Sequence, residues 1–196
     1  MAATLTRLID GLERRATWKN AALAFGGIIL VNVAMAGYIL PNIAARRPRA
    51  LEDDFLVMID LAPLSSAEEV YRIYDLYSPD VLGFVRLLYA LDFVMPLAFA
   101  VCLVCLIGKL LRALRVTEGV WRAALLVPLV ALLFDYAENV LSLFLLGQYQ
   151  DGRVYPALAR AASGATAVKF VGLGCAGLTL VVLLLRLAAR RVARTA

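Results

Sequence analysis

The sequence predicts an all-α polytopic membrane protein: four transmembrane helices in one bundle, an N-terminal amphipathic helix, and short extracytoplasmic helices between the first and second spans. Three observations predict this class. Hydrophobic residues make up 63% of the 196 residues and charged ones 18%, with a mean hydropathy of +0.82. The apolar residues gather into four blocks instead of alternating with polar ones, each long enough to cross ~30 Å of hydrocarbon at ~1.5 Å per residue. The basic residues collect at the ends of those blocks, where they anchor helices against headgroups.

Taken in order, Thr4 to Arg15 places Leu5, Leu8, Ile9 and Leu12 on one helical face and its charges elsewhere, the pattern of a helix lying on a membrane surface. The first span, 21–40, carries no charge and is closed by Pro41. Its Ala34-Met35-Ala36 triplet matches a signal-peptidase site, but the apolar block is too long for a cleaved signal, so retention is expected. Residues 42–78 form the one sizeable polar segment, read as an extracytoplasmic helical loop. It holds a mixed acidic and apolar stretch at 51–61 and a capping-box signature at Ser65-Ser66-Ala67-Glu68-Glu69, the start of a helix running to about Tyr77. Tyr71, Tyr74 and Tyr77 share one face of it, and two readings stay open: a lid over a site, or an interfacial helix packed on the bundle mouth.

Ser78-Pro79-Asp80 is a helix start, with a cap, a proline at the first position and an acid in the first turn. The second span, 87–107, contains Asp92, and Pro96 one turn later is expected to free a carbonyl and kink the helix beside it. The third span, 123–146, contains Phe134-Asp135-Tyr136-Ala137-Glu138-Asn139. The fourth, 165–185, contains Lys169 and exits into Arg186, Arg190, Arg191 and Arg194.

Four spans put both termini on one side. The leader, the second connection and the tail carry twelve Lys and Arg, against seven on the other side, so the positive-inside rule places the termini in the cytoplasm and 42–78 outside. The expected location is a bacterial inner (plasma) membrane.

Composition excludes several functions. A net charge of +5 and a pI near 9.3 would raise nucleic-acid binding in a soluble protein, but here the basic residues flank spans and no aromatics interleave with them, so no nucleic acid is expected. Histidine is absent, which removes the commonest metal ligand and the usual base near neutral pH. Three scattered carboxylates could hold Mg²⁺, yet there is no Asp-rich repeat, and no metal site is assigned. Cys102 and Cys105 have C-x-x-C spacing, but a thiol oxidoreductase needs a second shuttling pair and only Cys175 remains; packing is the expectation. No cofactor is legible.

Ionisable residues are costly inside a membrane, by roughly 2.5–3.5 kcal/mol each on insertion scales, and mark functional candidates. Counting from the extracytoplasmic end of each span, Asp92 lies about 8 Å deep, Glu138 about 12 Å, Asp135 about 17 Å and Lys169 about 6–10 Å. Three helices running in two directions thus deliver charges to the outer half of the bilayer, which points to one site. Asp135, Glu138, Asn139 and Ser142 form a stripe at i, i+3, i+4, i+7 that must face the bundle interior. On the fourth helix Thr166, Lys169, Gly172, Ala176 and Thr179 share a face, with small residues that permit close approach. Tyr89, Asp92, Pro96 and Phe99 share one on the second, and the first span offers Asn32. Asp135, Glu138, Asp92 and Lys169 are therefore the candidate catalytic residues, with Asn139, Ser142, Tyr89, Arg86, Thr166 and Asn32 as candidate ligand contacts. Three carboxylates facing one ammonium leave an imbalance that a proton retained on one carboxyl would remove, an arrangement used in acid–base catalysis, proton coupling and structural networks alike.

The order Gly83, Arg86, Tyr89, Asp92-Phe93, Pro96 in one helix, Asp135, Glu138-Asn139 in the next and Lys169 in the last resembles a group of small, uncharacterised four-span bacterial membrane proteins. The resemblance implies a shared polar pattern over most of the chain and brings no known activity with it.

Three functions are compatible with these residues. The first is binding or transforming a lipid, isoprenoid or similar amphiphile entering from the outer leaflet, with no motif that selects an enzyme over a binding protein. The second is a structural or assembly subunit whose charges fix helix packing. The third is proton-coupled transport, for which four helices are few and a homodimer would be needed.

Overall fold

The computed structural model describes residues 2–46, 63–75, 78–116 and 119–195. The mixed stretch at 51–61 and Tyr77, the expected end of the next helix, lie outside them. Every regular element among the described residues is helical: α1 (Ala2–Arg15), α2 (Trp18–Ala34), a π turn (Met35–Ile39) leading into α3 (Leu40–Ala44), α4 (Ala67–Asp75), α5 (Pro79–Asp92), α6 (Val94–Ala113), α7 (Val120–Ala123), a 3₁₀ turn (Ala124–Leu126), α8 (Val127–Gln150) and α9 (Pro156–Thr195). Four stretches are long and apolar enough to cross a membrane: Trp18–Ala44, Asp80–Ala113, Trp121–Gln150 and Pro156–Ala193. The protein is an all-α, multi-pass membrane bundle.

The first span runs past Pro41 instead of stopping there. Proline cannot donate to the carbonyl four residues back, and the chain absorbs the mismatch in the π turn just before it, where the Leu40 N–H reaches the Met35 carbonyl, five residues back. The second span does break. α5 ends at Asp92, Phe93 is a turn residue and α6 starts at Val94, because Pro96 has no N–H for the Asp92 carbonyl. Ser78 is extended at the start of α5, but its side chain makes no capping bond; its carbonyl instead accepts from Val81 N at 2.9 Å.

The spans do not form an even ring. α8 and α9 share the most extensive contact, both touch α6, and α2 packs chiefly against α6 alone. α2 is accordingly the least buried of the four spans. Close approach of α8 and α9 is set at Gly172, where a methyl group would stand 3.0 Å from Ala131 Cβ.

The core is split in two. At the end carrying the termini, Ile9, Ile107, Leu111, Leu125 and Leu183 form one apolar cluster; at the other, Ile39, Val70, Tyr74, Leu88, Leu145 and Ala162 belong to a second. α1 joins the first cluster through Ile9 and is not simply a surface helix. Arg122 of α7 bonds both Glu13 carboxylate oxygens at 2.7 and 3.0 Å and Asp10 at 2.6 Å. α4 closes the opposite end. Its predicted capping box forms, with Ser66 N donating to Glu69 Oε2 at 2.7 Å and Glu69 N to Ser66 Oγ at 3.2 Å, and Val70, Ile73 and Tyr74 are buried beneath it.

Candidate functional site

Between the two apolar clusters lies a layer of polar side chains buried from solvent: Asp92, Asp135, Glu138, Asn139, Ser142, Ser163, Thr166 and Lys169. The Asp135-to-Ser142 stripe faces α6 and α9 because its other side, Phe134, Val140 and Phe144, is apolar and exposed, as a lipid-facing surface must be.

Lys169 Nζ stands 2.9 Å from Glu138 Oε2 and 3.8 Å from Asp135 Oδ2, with Glu138 wholly inaccessible. The small Gly172, one turn along α9, brings the lysine this close to α8. Asp92 joins the cluster through Asn139, whose Nδ2 lies 3.0 Å from Asp92 Oδ2, 3.3 Å from Asp135 Oδ1 and 3.3 Å from the Asp92 carbonyl. That carbonyl is the one Pro96 leaves without a helical donor, so the amide both links two carboxylates and satisfies the kink. The Tyr136 hydroxyl adds a second tie, donating to the Phe93 carbonyl at 2.9 Å. At the back of the layer, Asn139 Oδ1 and Ser142 Oγ are buried without a hydrogen-bond partner.

The layer has an open side. A cavity of about 260 Å³ lies between α6, α8 and α9, with Asp92, Asp135 and Lys169 at its polar end. Its other walls are apolar and include Met95, Pro96, Phe99, Pro128, Ala131 and Phe170. Phe99 and Phe170 are partly exposed, which puts the opening on the lipid-facing flank. Pro96 shapes one wall through the kink, and Pro128 sits in the first turn of α8, where its missing N–H costs nothing. Glu138, Asn139 and Ser142 do not line the cavity; they stand behind it.

Other predicted residues fall elsewhere. Tyr89 is buried in the apolar cluster below α4. Thr166 is buried and donates to the Ala162 carbonyl of its own helix at 3.2 Å. Arg86 is exposed and bonds Gln150 at the bundle surface. Asn32 is exposed on α2, donating to the Ile28 carbonyl at 2.9 Å and lying 3.6 Å from Met95 Sδ; it sits at the seam of α2 and α6, outside the polar layer, because α2 does not reach α8 or α9 in force. Tyr136 was missed by sequence reasoning, although its place beside Asp135 and opposite a proline kink was a usable signal. Among the described residues, no three His, Cys, Asp or Glu side chains converge to hold a metal ion.

Tyr71 and Tyr74 of α4 pack against the ends of α8 and α9. Tyr74 donates to the Ser142 carbonyl at 3.3 Å, the Tyr71 hydroxyl accepts from Tyr155 N at 2.5 Å, and Tyr149 bonds Asp75. Tyr71 and Tyr149 stack with ring centroids 5.8 Å apart.

Against protein-family models, curated proteins and solved structures, the chain finds no match.

Proposed function

We propose that the protein binds an amphiphile, with a polar group held by Asp92, Asp135 and Lys169 and an apolar body lying along Phe99, Pro96 and Phe170. The observation that carries this reading is the cavity itself: three charged groups share its polar end while every other wall is apolar, the distribution expected of a small-molecule site that uses a few polar groups for orientation. Glu138 serves as the positioning partner of Lys169. Asp92 and Asp135, joined by one amide, form a carboxylate pair suited to share a proton with the ligand's polar group. Whether chemistry follows binding is a matter of the ligand, since no reaction-specific residue accompanies the pair.

The same reading places the chain in a bacterial inner membrane with both termini cytoplasmic. Its support is the excess of Lys and Arg in the leader, the second connection and the tail.

The test is mass spectrometry of small molecules copurifying with the protein from its membrane, repeated for Asp135→Asn. Retention of one amphiphile by the wild type, lost in a variant that keeps its melting temperature, is the expected result. A wild type free of any amphiphile, or an Asp135→Asn protein that fails to fold, would leave the charged layer with a structural role only.

A further inference from the structure

A second cavity, of about 300 Å³, lies on the terminal side of the first and shares Ala100 and Leu132 with it. Its apolar walls include Leu97 and Val101, both exposed on the lipid side, with Val104 and Leu129, and Arg15 and Asn20 stand at its terminal end. The gradient runs the way a membrane does, from hydrocarbon depth at Leu97 to the headgroup level at the α1–α2 corner. Arg15 is exposed and makes no ion pair among the described residues, whereas the nearby acids Asp10 and Glu13 are taken by Arg122. Asn20 fixes the corner: its N–H bonds Thr17 Oγ1 at 3.1 Å and its side chain holds the Arg15 carbonyl at 2.7 Å. Arg15, its backbone carbonyl tied down by Asn20 and its guanidinium exposed, thus stands at the rim of an apolar groove lined by α6 and α8.

We propose that this groove is a binding site for an anionic phospholipid, its phosphate on Arg15 and one acyl chain running past Val101 and Val104 toward Leu132. Guanidinium groups bind phosphate through paired N–H donors, and basic pockets between transmembrane helices take anionic headgroups in this way. The occupant is a lipid of the leaflet facing the termini, because the groove's polar rim, Arg15 and Asn20, lies at that level. This site is separate from the amphiphile site proposed above: its polar anchor is a cation at the membrane surface, not the carboxylates at its centre. Through Ala100 and Leu132 the chain tip would form part of the floor of the first cavity.

The experiment is native mass spectrometry of the full-length protein reconstituted in vesicles of equal parts phosphatidylglycerol and phosphatidylcholine, then extracted in mild detergent. Wild type is expected to retain one phosphatidylglycerol and to exclude phosphatidylcholine. Arg15→Gln should lower that retention about tenfold, the scale of a lost charge-assisted hydrogen bond, and Arg15→Lys should restore part of it. Arg14→Gln, an exposed residue that does not line the groove, should change it by less than about twofold. Equal retention of both lipids, no retained lipid, or equal losses in the Arg14 and Arg15 variants would each overturn the assignment. Because both arginines are exposed, these variants fold; Val101→Trp, which fills the groove, should abolish retention without touching charge, and undiminished retention there would also overturn it.

Discussion

Lys169 stands 2.9 Å from Glu138, whose side chain has no accessible surface. A buried pair of this kind is costly to break, because removing one partner strands the other as an isolated charge.

Lys169→Met should therefore destabilise the protein by about 3–5 kcal/mol, measured by unfolding in detergent micelles. Adding Glu138→Gln to that variant should recover more than half of the loss. No recovery in the double variant would mean that the lysine's main partner is elsewhere.

Asn139 offers a test of the kink. Asn139→Ala removes the donor that serves the Asp92 carbonyl and both carboxylates, at an expected cost of about 1–3 kcal/mol. In the Pro96→Ala background, a helical N–H becomes available to that carbonyl, so the same Asn139→Ala change should cost less. A double-mutant cycle reads the coupling, and additive costs would contradict it.

Gly172 sets the spacing of α8 and α9. Gly172→Leu drives a side chain into Ala131 and should cost about 1–3 kcal/mol or more, while lengthening the distance from Lys169 to Asp135. Gly174→Ala, where a methyl meets nothing within 4 Å, should fall within about 0.5 kcal/mol of wild type. Thermal melts of the two variants side by side make the comparison.

Arg122 pins α1 to the bundle. Arg122→Gln should free that helix, seen as faster amide hydrogen exchange across Ala2–Arg15 with the four spans unchanged. High salt should move wild type in the same direction, since the pair is partly exposed. Unchanged exchange in α1 would show that Ile9 and its neighbours hold the helix without the ion pair.

Much of the site was legible because period and cost coincide. Carboxylates at 135 and 138 with an amide at 139 can share only one face of a helix, and no lipid-facing surface tolerates them. The effect of Pro96 beside Asp92 followed from the missing N–H alone. Less legible was where each residue stands about the layer. Arg86 and Tyr89 lie on the same α5 as Asp92 yet end at the surface and in the apolar cluster, because they stand one to two turns nearer the α4 end, beyond the polar layer. Asn32 depended on whether the first span enters the bundle, and apolar residues on every side of that helix gave no indication of its packing.

The sequence by itself determined the all-α membrane class, the four spans, the capping box of α4, the kink at Pro96 and the inward stripe of α8, since each depends on local chemistry or helical period. The tertiary structure decided what those pieces do together. It placed Glu138 behind the lysine and Asp92 and Asp135 before it, left α2 at the side, locked α1 and α4 over the two ends, and opened the polar layer onto a flank. These outcomes depend on how closely helices approach, which residues such as Gly172 and Ala131 set jointly, and no single helix carries that information.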